Sequence, residues 1–383
     1  MDYLYTGVAF SGPAFARYRS HRPGDGGLVP GQLVIAEDLE RFAGTDHQVI
    51  LSELTEGLDP PATNLGGPSV VALVHAAQML ADRAHPVEFY GVRGDDSIAT
   101  NLEGILQATP LDWDGYRRVP GRTPVTYALS DPDHDHGAGE RSFINSIGVA
   151  AEYAASDIPD RFFERPLTVF GGTALVPNLH RELHLPVMRA RREGALTVVN
   201  TVYDFINQSR APDRPWPLGD SERTYAATDL LVVDAEEARR LSGESDLQRS
   251  LTFFRNAGVS AVVITRGAEP LLAEAATSRF VPLQRRQFPV CAQVTKDLSA
   301  ESRRPGDTTG CGDNFVGGVL ASLAEQLAAG ERRLDLGVAI AWGVAAGGFA
   351  CFCVGGTFLE AHPGEKRDLV TRYHRAYRTQ IDG

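Results

Sequence analysis

The chain has 383 residues, 43% of them hydrophobic and 22% charged, enough for one large α/β domain or two modest ones. A formal net charge of −12 argues against nucleic acid or an anionic membrane as the main partner, because both select basic surfaces. No apolar run reaches the roughly 20 residues of a membrane span, and Met1 is not followed by a charged and then apolar leader. A cytoplasmic protein is therefore expected. Lys296 and Lys366 are the only lysines among 37 basic residues, which reads as genome composition. Cys291, Cys311, Cys351 and Cys353 suit neither a disulfide framework nor a zinc spacing; Cys351 and Cys353 fall in an apolar, helix-like run and read as core.

In chain order, Tyr3 to Phe10 suits a buried first strand that stops at Ser11-Gly12-Pro13. Residues 14–63 alternate Gly, Pro and charge clusters with β-like pieces, Gln32 to Ala36 and Gln48 to Leu51. So long a stretch without helical periodicity predicts a flap or lid. Gly66-Gly67-Pro68 opens a helix with apolar positions Val70, Val71, Val74, Ala77, Met79 and Leu80, Pro68 suiting its first turn. Val87 to Val92 reads as a strand, and Asp95 or Asp96 caps a helix to about Leu106. Thr123 to Leu129 and Arg141 to Ile144 flank the acidic stretch Asp131 to Gly137, which predicts a second lid hairpin within 110–148. His134 and His136 in it read as a solvated tip.

Beyond these, Leu167 to Phe170, Leu196 to Val199, Leu230 to Val233 and Ala261 to Ile264 are short β-rich runs separated by helical segments. Such alternation predicts a parallel sheet covered on both faces. The linker candidates, 211–216 and 303–306, are too short to separate independent domains, so a single domain over 1–383 is expected. Near the C-terminus stands Asp307-Thr308-Thr309-Gly310-Cys311-Gly312-Asp313, directly ahead of an apolar helix. Glycines that let the backbone approach a ligand, a helix N-terminus and an acid at the boundary suit a phosphate or oxyanion. Asp313 is placed to take a proton from an attacking hydroxyl; its plainer reading is a helix N-cap.

Together these landmarks resemble the PfkB/ribokinase family of ATP-dependent sugar and nucleoside kinases, over nearly the whole chain from Tyr3 to about Phe358. Asp307 to Asp313 is its most specific piece. The resemblance implies a ribokinase-like three-layer α/β/α fold with a central, mostly parallel sheet and a small β lid. It implies Asp313 as catalytic base and the amides of Gly310, Cys311 and Gly312 as an anion hole for the γ-phosphoryl group. Asp234 and Glu237 in Val232 to Ala238 are similar to an Asn-x-x-Glu element that helps place Mg²⁺, with Asp234 where Asn is usual; the plain alternative is a strand end capping a helix. Thr265 and Gly267 resemble a turn under ATP, with Asp307 and Thr308 beside it. Arg266 stands either near the phosphates or as a solvated loop charge.

On the acceptor side, Gly66 and Gly67 resemble the first family signature, while the Asn expected downstream falls near Val71. The Asp expected after the first strand has no counterpart between Gly7 and Gly12, so either the flap supplies polar partners, with Asp38, Glu40 and Asn64 as candidates, or the substrate is not an ordinary pentose or hexose. Asn200 and Asp204 follow a strand end that faces the active site in relatives. Arg141 resembles a lid residue that clamps an anion or makes a salt bridge. Cys353 to Thr357 is similar to a loop that binds a monovalent cation, K⁺, in many relatives. The expected cofactors are thus ATP and Mg²⁺, with K⁺ as a third candidate, and the expected partner a small polyol. Sugars, nucleosides and cyclitols stay open, as do a phosphorylated sugar and a silent, ligand-binding relative. A homodimer through the lid is the assembly that the resemblance suggests.

Overall fold

A computed structural model describes residues 1–22, 24–60, 62–81, 85–137, 139–276, 278–300 and 308–382. Its thirteen strands are β1 (Asp2–Thr6), β2 (Leu33–Ile35), β3 (Ala62–Asn64), β4 (Gly91–Arg93), β5 (Tyr116–Arg118), β6 (Val125–Asp131), β7 (Glu140–Ser146), β8 (Leu167–Gly171), β9 (Leu196–Asn200), β10 (Leu230–Asp234), β11 (Ala261–Thr265), β12 (Leu271–Ala275) and β13 (Leu283–Phe288). The largest sheet runs β13-β12-β11-β10-β9-β8. β8 to β11 are parallel, and β12 and β13 add antiparallel edges.

Strand periodicity explains how this sheet is covered. Successive side chains alternate faces, so Leu231, Val233, Val262 and Ile264 join one core with Val187, Ala238, Leu251 and Phe254. Leu230, Val232, Ala261 and Val263 join the opposite core with Ala72, Phe315, Val319, Leu323 and Ile340. Both faces are therefore helix-covered, the three-layer arrangement expected of continuous apolar strands. Helices Pro68–Leu80, Cys311–Ala328 and Leu336–Ala350 form the layer that carries the phosphate signature.

A second sheet, β2-β7-β6-β1-β3, contains the hairpin β6–β7, and its core takes in Phe10, Phe15, Leu39, Ile50 and Leu54. The stretch 14–63 differs from its β-like reading. It holds helices Pro13–Tyr18, Ala36–Ala43 and His47–Leu54, and among the described residues only Leu33–Ile35 and Ala62–Asn64 are strand. Gln48 to Leu51 is helical because His47, Ile50, Leu51 and Leu54 are the buried positions, a spacing of three and four that a four-residue window cannot reveal. The first strand ends at Thr6, since Gly7 takes φ 81°. The strand expected over Val87 to Val92 is confined to Gly91–Arg93. The helix expected to hold Cys351 and Cys353 ends at Ala350. Asp96, not Asp95, caps Ser97–Gln107 by accepting from the Ala99 N–H. Residues 303–306, read as a linker, lie outside the described residues.

Helix Cys311–Ala328 packs on Leu336–Ala350 through glycines. A Cβ on Gly318 would lie 2.7 Å from the Trp342 carbonyl oxygen and 2.9 Å from the Ala346 Cβ. Gly318→Val is therefore expected to cost about 1–3 kcal/mol by overpacking. Gly104→Ala, mid-helix with nothing within 4 Å of its Cβ, is expected to stabilise by about 0.5–1 kcal/mol. Urea unfolding midpoints of the two variants check these opposite signs.

Candidate functional site

Gly310 is the N-cap of helix Cys311–Ala328, at φ 75° and ψ 4°, a left-handed conformation that glycine takes without a steric penalty. Its other constraint is tertiary: a Cβ there would lie 2.3 Å from the Gly356 Cα. The first helical bond runs from the Asn314 N–H to the Gly310 carbonyl at 2.8 Å, and the Cys311 N–H donates back to the Thr308 carbonyl at 3.3 Å. Helix geometry then leaves the Gly312 and Asp313 amides as first-turn donors, backed by the positive end of the helix dipole. Of the amides expected to form an anion hole, that of Cys311 is thus engaged within the turn, and that of Gly312 stays a first-turn donor beside Asp313.

Asp313 is the third helical residue, so it is not the N-cap. Among the described residues, no hydrogen bond or ion pair to its carboxylate is recorded. Burial pushes this carboxyl up to about 7, and the Asp2 carboxylate adds to the effect. Asp313 therefore changes charge near neutrality, which suits a general base.

Two further acids stand at the end of β10. Asp234 and Glu237 form a capping box: the Glu237 N–H donates to Asp234 Oδ1 at 2.7 Å, and the Asp234 N–H to Glu237 Oε2 at 3.0 Å. The Thr201 hydroxyl also donates to Glu237 Oε2, at 2.5 Å. The capping alternative is thus physically present, yet it leaves one oxygen of each carboxyl uncommitted. Burial pushes Glu237 up to about 7, with Asp234 and then Asp313 contributing. Acids that repel one another, Glu237 buried and Asp234 open to solvent, with oxygen ligands to spare, fit a hard divalent cation such as Mg²⁺.

Thr265 closes β11 with its hydroxyl 3.4 Å from the Val233 carbonyl, and Gly267 follows at φ 60°. Arg266 folds onto its own turn, pairing with Glu269 and donating to the Pro270 carbonyl at 3.3 Å. That is the loop-charge alternative. Asp307, expected beside ATP, lies outside the described residues, and Thr308 begins the described signature.

A cavity of about 790 Å³ brings Asp313 together with Gly66, Gly67, Ser69, Asp2, Thr126 and Asn145 in a mostly apolar lining. Asp2 is a residue that sequence reasoning missed, because it stands at the start of β1 rather than after its end. A Cβ on Gly66 would lie 1.9 Å from Asp2 Oδ1, so glycine is what admits this carboxylate. Burial raises the Asp2 carboxyl, against the hydrogen bond from Thr126. Asn200 is near: a Cβ on Gly171 would lie 2.5 Å from Asn200 Oδ1 and 2.6 Å from the Ser69 hydroxyl, and Asn200 Oδ1 is buried without a hydrogen bond. Asp204 instead caps Phe205–Arg210, accepting from the Asn207 N–H at 2.9 Å. Arg141 reaches from β7 to the Thr309 hydroxyl at 3.4 Å.

The flap candidates stand apart from the cavity lining. Asp38 pairs with Arg41, Glu40 with His47, and Asn64 Nδ2 donates to the Val354 carbonyl at 3.0 Å. Glu40, Asp46 and His47 are close enough to share a metal ion. Arg122, 3.0 Å from Asp46 and 3.7 Å from Glu40, already supplies the positive charge there. Val71, near which the Asn of the resembled signature was expected, is buried and packs on Gly356. At the Cys353–Thr357 loop, expected to hold a monovalent cation with backbone near Asp307, which lies outside the described residues, part of the carbonyl set is engaged by the chain itself. The Gly310 and Gly356 carbonyls both accept from Asn314 Nδ2 at 2.8 Å, and the Lys366 ammonium stands 3.0 Å behind on Asn314 Oδ1. Among the described residues, no helix is long and apolar enough to cross a membrane.

A model of the pfkB family of carbohydrate kinases matches residues 63–362. Aminoimidazole riboside kinase of Salmonella typhimurium is 27% identical over 251 residues, 62% of this chain and 67% of its own length. A probable fructokinase-2 of Arabidopsis thaliana is 26% identical over 317 residues, 78% of this chain and 82% of its own. Adenosine kinase from Sinorhizobium meliloti superposes with a TM-score of 0.68 at 16% identity, covering 98% of this chain and 96% of that one. Ribokinase from Thermotoga maritima does so at 0.56 and 18% identity, over 84% and 92%. These structural likenesses establish the fold as ribokinase-like.

The Asp313 carboxyl also predicts a stability effect. Its folded pKa of about 7 lies above the ordinary 3.8, so ionisation opposes folding and stability is lost as pH rises through that window. Asp313→Asn is expected to melt higher than the wild type at pH 8, the difference shrinking toward pH 4. Thermal denaturation across pH 4–8 checks this.

Proposed function

Because this chain belongs to the pfkB family of carbohydrate kinases, phosphotransferases with an alcohol acceptor, we propose that it moves the γ-phosphate of ATP to a hydroxyl of a sugar, nucleoside or cyclitol. The observation that carries this reading is Asp313. Its carboxylate, with no recorded side-chain partner, lines the cavity beside the first turn of helix Cys311–Ala328 and titrates near neutrality. A hydroxyl bound in the cavity gives its proton to Asp313 as its oxygen attacks the γ-phosphorus; the bond from that phosphorus to the β–γ bridging oxygen breaks, and ADP leaves. The Gly312 and Asp313 amides then face the charge that builds on the transferring group, where fixed dipoles act most strongly.

Asp234 and Glu237 would hold Mg²⁺, which supplies charge neutralisation to the nucleotide phosphates. Thr265 and Gly267 border the nucleotide, and Arg141, reaching Thr309, is assigned to the transferring phosphoryl group rather than to a phosphate on the acceptor. Gly66, Gly67, Asp2 and Asn200 are assigned to acceptor hydroxyls. The largely apolar lining suits a polyol that carries a ring or base better than a bare hexose, since apolar walls leave sugar hydroxyls unpaired.

An ADP-release screen over sugars, nucleosides and cyclitols, run beside Asp313→Asn, tests the reading. One acceptor class is expected to give turnover that Asp313→Asn lowers by about 10²–10⁴ in kcat, the range for a lost general base, with KM for ATP little changed. Full activity of the variant would remove Asp313 from the mechanism.

A further inference from the structure

Behind the anion-binding turn lies a buried polar chain that the reaction as described does not use. Asn314 and Lys366 are each only 1% exposed. Asn314 Nδ2 donates to the Gly310 and Gly356 carbonyls, both at 2.8 Å, and its Oδ1 accepts from Lys366 Nζ at 3.0 Å. One amide thus joins the two glycine loops, and one ammonium holds that amide. Buried ammonium groups are normally matched to a carboxylate. Here the one hydrogen bond recorded for Nζ is to a neutral amide oxygen, and Glu360 uses its carboxylate to accept from the Lys366 backbone N–H at 2.9 Å. A charged donor on Oδ1 polarises the amide and strengthens the bonds that its Nδ2 donates.

Composition sharpens the point. Nearly every basic residue in this chain is Arg, yet this site holds one of its two lysines. A compact ammonium fits behind Asn314, whereas a planar fork of five donors would need more acceptors than Asn314 Oδ1 alone. Burial lowers the ammonium to about 7, with Cys353 and Glu360 opposing, and buried His75 on the facing helix feels its charge. The orientation of Gly310 decides where the Gly312 and Asp313 amides point.

We propose that the Lys366 ammonium is a built-in cation that, through Asn314, sets the phosphate-binding turn, making Lys366 a positioning residue for the γ-phosphoryl group. This rests on the kinase reading above. It also makes an added monovalent ion dispensable: a positive charge and contacts to the Gly310 and Gly356 carbonyls are supplied by the chain itself.

Calorimetric binding of Mg²⁺ complexes of AMP-PNP and ADP to the full chain tests it, because only AMP-PNP carries the terminal phosphoryl group. Lys366→Met and Asn314→Ala are each expected to weaken AMP-PNP at least tenfold while ADP stays within threefold. Wild-type affinity for AMP-PNP is expected to stay within twofold when tetramethylammonium replaces K⁺. Equal loss of both nucleotides would reduce Lys366 to a packing role and overturn the proposal. Unchanged AMP-PNP affinity, or a wild type that needs K⁺, would overturn it too. Should Lys366→Met fail to fold, Lys366→Gln, which keeps a donor but removes the charge, decides by the same comparison. A wild type that binds neither nucleotide would sink the kinase reading itself, a result distinct from these.

Discussion

Everything at the phosphate end depends on how closely two glycines meet. Gly310 and Gly356 approach so tightly that a single methyl on Gly310 would lie 2.3 Å from its neighbour's Cα. That approach lets one side chain, Asn314, reach both backbones, and it fixes where helix Cys311–Ala328 begins. The same helix then passes Gly317 against the Ala72 carbonyl and Gly318 against the Trp342 carbonyl, each within 2.7 Å of where a Cβ would stand. Small residues bring three helices close together, and the rigid layer so formed aims the first-turn amides and Asp313. Packing and the proposed phosphate site draw on the same glycines, so neither can be varied alone.

Charge is arranged unevenly about that helix start. Asp313 and Asp2 in the cavity, and Glu237 after β10, are acids with raised pKa values; burial disfavours the charge of all three, and a neighbouring carboxylate adds to this for Asp313 and Glu237. On the inner side stands Lys366, an ammonium driven the other way by its own burial. Each group costs stability in the unliganded fold. A nucleotide with its metal, and an acceptor hydroxyl, would complement the acids. Asn314 is the neutral element that lets the internal cation act on the turn without pairing directly with Asp313.

Much of this was legible residue by residue, where the physics is local. The β-rich runs that became β8 to β11 were readable because their apolar stretches are continuous, and Asp96, Pro68 and the Asp234–Glu237 pair because caps act over three residues. The helices at 36–43 and 47–54 were not, since charged and glycine-rich flanks hid a spacing that only burial made clear. Arg266 and Asp204 carried plausible active-site positions, yet both are spent locally, on Glu269 and on a helix cap.

Alone, the sequence determined the family signature, the α/β alternation and the residue proposed as the base, because a glycine-rich turn ahead of a helix works through contacts a few residues apart. Only the tertiary structure decided what surrounds that base. Asp2 reaches Gly66 from the far end of the chain, Arg141 meets Thr309 across 168 positions, and Lys366 meets Asn314 across 52. Such contacts carry no periodicity and no motif. They exist because the strands and helices, once packed, leave room for one carboxylate at Gly66 and one ammonium behind Asn314.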